Sequence, residues 1–264
     1  MDLQLKGRRA LVTGSTAGIG WAIARELAAE GCEVIVNGRD PARLEAAVQR
    51  IHAAVPGSAV MGVLADLERA DGCANLVAAA GDVDILVNNL GIFEPRPFTQ
   101  IEDAEWERMF SVNVMSGVRL ARALVPQMLA RNWGRVVFIS SESGICPPAE
   151  MVHYGVSKAA QLAVSRGLAE SCAGTGVTVN AVLPGPTRTE GVAQFFGKLA
   201  QQAGQSVAEA EAAFFRTARP TSLLKRLIDP REVATLVAYL CSPLSAATNG
   251  AALRVDGGVV RSLI

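Results

Sequence analysis

The chain has 264 residues, of which 50% are apolar and 19% charged, with 25 acidic and 25 basic side chains in balance. Such a composition excludes an intrinsically disordered chain and fits one large α/β unit around a sheet buried on both faces. No run of lysine or arginine offers a nucleic-acid footprint, no apolar run reaches membrane-spanning length, and Met1 to Arg9 lack the apolar core of a signal peptide, so neither nucleic acid nor membrane is expected as a partner.

Short apolar runs alternate with longer amphipathic ones along the chain. Strands are predicted over 10–13, 33–37, 59–64, 84–87, 135–140, 177–182 and 252–255, and helices over 19–30, 41–54, 104–129 and 153–173 among others. That alternation predicts a doubly wound parallel sheet with right-handed crossovers, whose ligands bind beyond the carboxyl ends of the strands.

The first strand runs into Thr13-Gly14-Ser15-Thr16-Ala17-Gly18-Ile19-Gly20 and then a helix. Glycines there let the backbone turn tightly and approach a pyrophosphate, and the free amides of a helix start supply donors. Three residues separate the first two glycines, unlike the usual Gly-x-Gly-x-x-Gly loop, and a turn that merely packs helix on strand is the plain alternative. The second strand ends in Val36-Asn37-Gly38-Arg39, with no carboxylate for two ribose hydroxyls and an arginine suited to a phosphate. An ordinary solvated arginine is the alternative. Ala65-Asp66-Leu67 follows the third strand and Asn88-Asn89-Leu90-Gly91 the fourth, positions where an aspartate or asparagine alone also serves as a cap or turn residue.

Ser140 and Ser141 end the fifth strand, and Tyr154-Gly155-Val156-Ser157-Lys158 opens the helix after it, using one of only two tyrosines in the chain. Residues four apart share a helix face, so the ammonium is expected to lower the phenol pKa toward neutrality, as a general acid/base requires. Pro184-Gly185-Pro186-Thr187-Arg188-Thr189 follows the sixth strand, in residues that any rigid loop would use. The stretch 190–224 is too long for an ordinary loop and is read as a helical lid.

Taken in order, from Leu5 to Gly258, these motifs resemble the short-chain dehydrogenase/reductase family in its single-domain branch. The resemblance implies a Rossmann-like, three-layer domain over 1–264 with the lid at 190–224. It implies that Gly14, Ser15, Thr16, Gly18, Ile19 and Gly20 bind the cofactor's phosphates and adenosine ribose. Gly38 stands where the family's NAD users carry an acid, so Asn37 and Arg39 favour NADP(H), with NAD(H) the alternative. Asp66 and the Leu67 amide would hold adenine, and Asn89 and Gly91 belong to a turn in which Leu90 replaces the family's alanine. The family spacing selects Ser141, thirteen residues before Tyr154, over Ser140. Its hydroxyl would bond the substrate oxygen as charge develops there. Asn113, within Ser111-Val112-Asn113-Val114, matches the helix asparagine that anchors a proton-relay water beside the lysine. Lys158 would also hold the cofactor ribose next to Tyr154, with Pro184, Gly185 and Thr187 near the nicotinamide and Thr189 on its carboxamide.

The implied reaction is hydride transfer between a nicotinamide and a carbonyl or secondary alcohol, with Tyr154 as proton donor and acceptor. The alternatives are a non-catalytic nicotinamide-binding regulator on the same fold and a β-ketoacyl-thioester reductase. Phe195, Phe196, Phe214 and Phe215 are expected to pack in a core or subunit contact ahead of touching substrate. Ile145, Cys146 and His153 are candidates for the pocket, and Glu94 and Arg96 for surface charge. Five scattered cysteines match no disulfide framework or metal-ligand spacing, so no metal is expected and a cytoplasmic location fits. Family analogy further suggests a homotetramer.

Overall fold

The computed structural model describes residues 1–263. Seven parallel strands form one sheet in the order β3-β2-β1-β4-β5-β6-β7. They are β1 (Arg9–Val12), β2 (Glu33–Gly38), β3 (Val60–Leu64), β4 (Ile85–Asn88), β5 (Gly134–Ile139), β6 (Val177–Pro184) and β7 (Ala252–Val255). The seven stretches predicted from sequence are these seven strands, each within a residue or two at its ends.

The five inner strands are buried because successive residues feed opposite layers, whereas the edge strands β3 and β7 stay partly exposed. Ala10 and Val12 point into one core with Val34, Val36, Ile85 and Val87. Leu11, Ile35 and Leu86 point into the other, with Val136 and Phe138. The first core is closed by α1 (Gly18–Ala29), α2 (Pro41–Ala54) and α9 (Pro230–Cys241), and the second by α3 (Ala70–Ala80), α5 (Ser116–Ala130) and α6 (Val152–Ser171). Each fully buried aliphatic side chain contributes about 1.5–3 kcal/mol relative to exposure.

Local chemistry sets the helix starts. Asp40 caps α2 by accepting from the Arg43 amide at 2.9 Å, with Pro41 in the first turn. Asp229 and Glu232 form a capping box around Pro230 at the start of α9. The helix expected over 104–129 is divided: α4 (Asp103–Phe110) and α5 are joined by a π-helical turn, Ser111–Met115. A π turn inserts one extra residue and re-aims the side chains on it, a distortion frequent at functional sites, and Asn113 lies within it.

The stretch after β6 forms α7 (Glu190–Ala203) and α8 (Val207–Thr217). Helix α7 stops at Gly204, whose φ of 63° is left-handed, and Ser206 with Glu209 caps α8. These two helices bury a small apolar cluster of their own around Phe196 and Phe215. Among the described residues, no helix is long and apolar enough to cross a membrane.

Candidate active site

The strand order reverses between β1 and β4, and the loops leaving these two strands open one end of a cavity of about 500 Å³. Asn89 staples them together: its Nδ2 donates to the carbonyls of Thr13 and Gly14 at 2.9 and 3.1 Å, while Thr13 Oγ1 accepts from the Asn89 and Leu90 amides. Beneath the loop, Ser15 and Asn37 are buried and engaged within the protein. Ser15 Oγ donates to the Val12 carbonyl, Asn37 N donates to Ser15 Oγ, and Gly14 N donates to Asn37 Oδ1. Both shape the loop from below.

Gly14, Gly18, Ile19, Gly20, Asn89 and Gly91 line this end of the cavity. A side chain at Gly20 would place its Cβ 2.4 Å from Asn89 Nδ2 and 2.6 Å from the Gly14 carbonyl, so only glycine lets helix and loop meet this closely. Ser15, Thr16, Asn37, Arg39, Asp66 and Leu67 lie outside the lining. Leu67 is a core side chain, and Asp66 accepts from the Glu68 amide in a turn. Arg39 is exposed at the end of β2 and makes no ion pair among the described residues. Gly38 packs against Thr16: a Cβ there would sit 2.4 Å from Thr16 Cγ2, so an acid at this position would require the Thr16 side chain to shift. Arg43, one turn into α2, does line the cavity and pairs with Glu190 of α7 at 2.6 Å.

At the other end the cavity is bounded by Ser141, Tyr154 and Lys158, with Pro184, Gly185, Thr187 and Thr189 along one side. Ser140 is not interchangeable with Ser141: its hydroxyl is spent on the Lys158 carbonyl at 2.8 Å, fastening β5 to α6. The Ser141 hydroxyl donates to the carboxylate of its neighbour Glu142 and accepts from the Ser143 amide at 3.1 Å. Lys158 Nζ donates to the Ile139 carbonyl at 2.9 Å and to Gln161 Oε1 at 3.0 Å, and lies 5.7 Å from the centre of the Tyr154 ring.

The electrostatics differ from the sequence expectation. Burial holds the Lys158 ammonium down to about 7, with no ion pair to offset it among the described residues. The Tyr154 phenol is pushed up beyond its ordinary value, first by burial and then by the Glu142 carboxylate, against smaller opposing contributions from Ser141 and Arg219. The lysine alone therefore does not activate the tyrosine, and further positive charge is needed in the site.

Asn113 lies just behind this cluster. Its side chain bonds Ile92 through Oδ1 at 2.8 Å and Nδ2 at 3.0 Å, and Nδ2 also donates to Ser157 Oγ at 2.9 Å. The Asn113 carbonyl accepts from Gln161 Nε2 at 2.5 Å. Three pocket candidates fall elsewhere: Ile145 and Cys146 face outward, and His153 is buried edge-on to Trp106, with ring centres 5.9 Å apart. Glu94 and Arg96 pair with each other in a surface network that includes Glu105. Phe195, Phe196 and Phe214 both pack together and line the cavity, whereas Phe215 is core alone.

Residues that motif spacing does not mark are Glu142, Glu150, Gln161 and Arg219. Arg219, just after α8, bonds Glu142 through Nε and Glu150 through Nη1, each at 3.3 Å, and all three line the same cavity. The position of Gln161, three residues beyond Lys158 on one helix face, was the available signal for its role.

The chain matches the family model of short chain dehydrogenases over residues 8–199. It is 50% identical to the oxidoreductase YvaG of Bacillus subtilis over the full length of both chains. It is 30% identical to the 3-oxoacyl-acyl-carrier-protein reductase FabG of Aquifex aeolicus, over 98% of this chain and all of that one. Among solved structures it superposes on the L-sorbose reductase of Gluconobacter frateurii, complexed with NADPH and L-sorbose, with a TM-score of 0.94 and 31% identity over all of both chains.

Proposed function

The chain belongs to the short-chain dehydrogenase/reductase family and is an NAD(P)-dependent oxidoreductase of alcohol or carbonyl groups, and from that premise we propose that it interconverts a small ketone and its secondary alcohol with NADP(H), Tyr154 exchanging the proton. The observation that carries this reading is convergence: Ser141, Tyr154 and Lys158 bound one cavity whose far end is the glycine loop.

The residues fit a nicotinamide dinucleotide. Gly20 keeps clear a cradle that any Cβ would fill. An ammonium has three N–H groups, and Lys158 spends two on Ile139 and Gln161, which leaves one for a ribose hydroxyl. Gly14, Ser15, Thr16, Gly18 and Ile19 would hold the dinucleotide's pyrophosphate, Asp66 and the Leu67 backbone amide its adenine, and Asn89 and Gly91 would wall its ribose. Pro184, Gly185, Thr187 and Thr189 would flank its nicotinamide. When bound, the cofactor supplies or accepts the hydride. Tyr154 gives the substrate oxygen its proton in reduction and takes it back in oxidation, and Ser141 orients that oxygen. Asn113 braces the π turn against β4's loop and α6. Helices α7 and α8 serve as the lid of a single domain, with Phe195 and Phe214 closing over the apolar part of the substrate.

Support for NADP(H) over NAD(H) comes from the end of β2, where exposed Arg39 stands beside Gly38 and no acid is present to repel the extra phosphate. Assays with a panel of ketones, including a short 3-oxoacyl thioester, should give a higher kcat/KM with NADPH than with NADH, and the reverse order would refute the preference. Arg39→Ala removes a charge-assisted bond to the extra phosphate, worth about 1.5–3 kcal/mol. It should lower kcat/KM for NADPH by roughly 10- to 100-fold and leave NADH turnover nearly unchanged.

The working form is a cytoplasmic homotetramer on this reading. Supporting features are five cysteines that are all free and the exposed Phe110 and Val156 on the outer faces of α4 and α6.

A further inference from the structure

The substrate end of the cavity carries an ion-pair triad that the acid/base chemistry of Tyr154 does not require. Arg219 donates from Nε to Glu142 and from Nη1 to Glu150, each at 3.3 Å, and from Nη1 also to the Ala218 carbonyl at 2.9 Å. Its guanidinium lies 5.5 Å from the centre of the Phe214 ring. Arg219 and Glu142 have side chains only 12% and 6% exposed, whereas that of Glu150 is 49% exposed, and all three line the cavity with Phe214.

The carboxylate of Glu142 is fully engaged, since one oxygen accepts from Arg219 and the other from Ser141 Oγ. The outer pair is not. Among the described residues, Arg219 Nη2 and Glu150 Oε2 make no hydrogen bond. A ligand filling this end has therefore to satisfy a guanidinium donor and a carboxylate acceptor at once. An anion meets two carboxylates against one guanidinium and brings no N–H or O–H for Glu150. An ammonium is repelled by Arg219 and offers no lone pair to Nη2. An apolar chain desolvates both groups and leaves them unpaired, which costs roughly 10- to 100-fold in binding. A hydroxyl is uncharged and both donates and accepts, so it answers the two groups together.

We propose that the Arg219–Glu150 edge selects an uncharged, hydroxylated substrate, a ketone or secondary alcohol with at least one further hydroxyl beyond the reacting carbon. That hydroxyl donates to Glu150 Oε2 and accepts from Arg219 Nη2, while Phe195 and Phe214 cover the C–H surface of the same molecule. Glu142 couples selection to chemistry, because the carboxylate that holds Arg219 also holds Ser141. The inference rests on the ketone–alcohol reading above and narrows its substrate class, away from keto acids and plain acyl chains.

Three four-carbon ketones separate these classes: erythrulose, butanone and acetoacetate, each assayed with NADPH. The unmodified protein should reduce erythrulose with a kcat/KM about 10-fold or more above that for acetoacetate. Variants are read as ratios between substrates on one enzyme, which cancels the intrinsic reactivity of each ketone. Glu150→Ala removes the acceptor and one negative charge. The erythrulose-to-butanone ratio should then fall roughly 10-fold, and the acetoacetate-to-butanone ratio should rise roughly fivefold. Arg219→Met removes the donors and the positive charge, so both ratios should fall. A merely structural role would move all three substrates together. That result in Glu150→Ala, unmoved ratios, or a preference of the unmodified protein for acetoacetate each overturns the proposal. Because Glu150 is half exposed, its variant keeps the test decisive even if Arg219→Met fails to fold. Saturation-transfer NMR with erythritol, recorded with and without NADPH, reads binding without turnover. Contact should be seen with the unmodified protein and lost in Glu150→Ala, and its absence from the unmodified protein overturns the proposal. If no ketone were reduced at all, the functional reading would fail while erythritol binding still decided the selecting edge.

Discussion

Replacing Tyr154 by phenylalanine should lower kcat by about 10²- to 10⁴-fold, the range for loss of a positioned general acid/base, with NADP(H) affinity changed little. The separation follows from the geometry. The phenol reaches the substrate end of the cavity, whereas the glycine loop, Asn89 and the Lys158 ammonium form the walls that a dinucleotide would meet. The ring packs edge-on to Phe93 at 6.2 Å, and phenylalanine preserves that contact. Turnover by stopped assay and affinity by nicotinamide fluorescence check the two halves separately. Full activity in the variant would remove Tyr154 from the chemistry.

Lys158→Met should damage both binding and turnover, and its signature is in pH. In the free protein burial holds the ammonium down to about 7. A ribose oxygen accepting the third N–H favours the charged form, so cofactor binding should raise that value. The sign follows: above about pH 7 the free site is largely neutral and the bound site protonated, so binding takes up close to one proton. Below that the site is already charged, and uptake vanishes. Calorimetry in buffers of different ionisation enthalpy measures this directly, and Lys158→Met should abolish the uptake and weaken affinity by roughly 10- to 100-fold. Stability obeys the same linkage. The folded value lies below that of an unfolded lysine, so the burial penalty is fully present below about pH 7 and fades as pH rises toward the unfolded value.

The strands and the glycine loop after β1 were legible in the sequence because their causes are local. Val34, Ile35 and Val36 form a β-branched run, and Gly14, Gly18 and Gly20 sit between a strand and a helix at positions where a Cβ is poorly tolerated. The convergence of Ser141, Tyr154 and Lys158 on one cavity was legible from spacing on one strand end and one helix. The π turn at Asn113 was not, because its apolar pattern reads as continuous helix and the extra residue is selected by contacts with Ile92, Ser157 and Gln161. The charge on Tyr154 was misread for a related reason. Sequence shows a lysine four residues away, but the acid that opposes it comes from Glu142, and the arginine that holds that acid lies 77 residues further on. His153 was placed in the pocket by adjacency to Tyr154, yet consecutive helical residues point about 100° apart, and it faces Trp106 instead.

The central claim is that Tyr154 becomes an acid/base only when the cofactor adds its charge to that of Lys158. Near-ultraviolet titration of the Tyr239→Phe protein follows Tyr154 alone. Without cofactor the phenol should ionise above its ordinary range, because burial and Glu142 hold it there. With saturating NADP⁺ the ionisation should move down by several pH units toward neutrality. A titration that NADP⁺ leaves in place would contradict the assignment of Tyr154 as the proton-exchanging group.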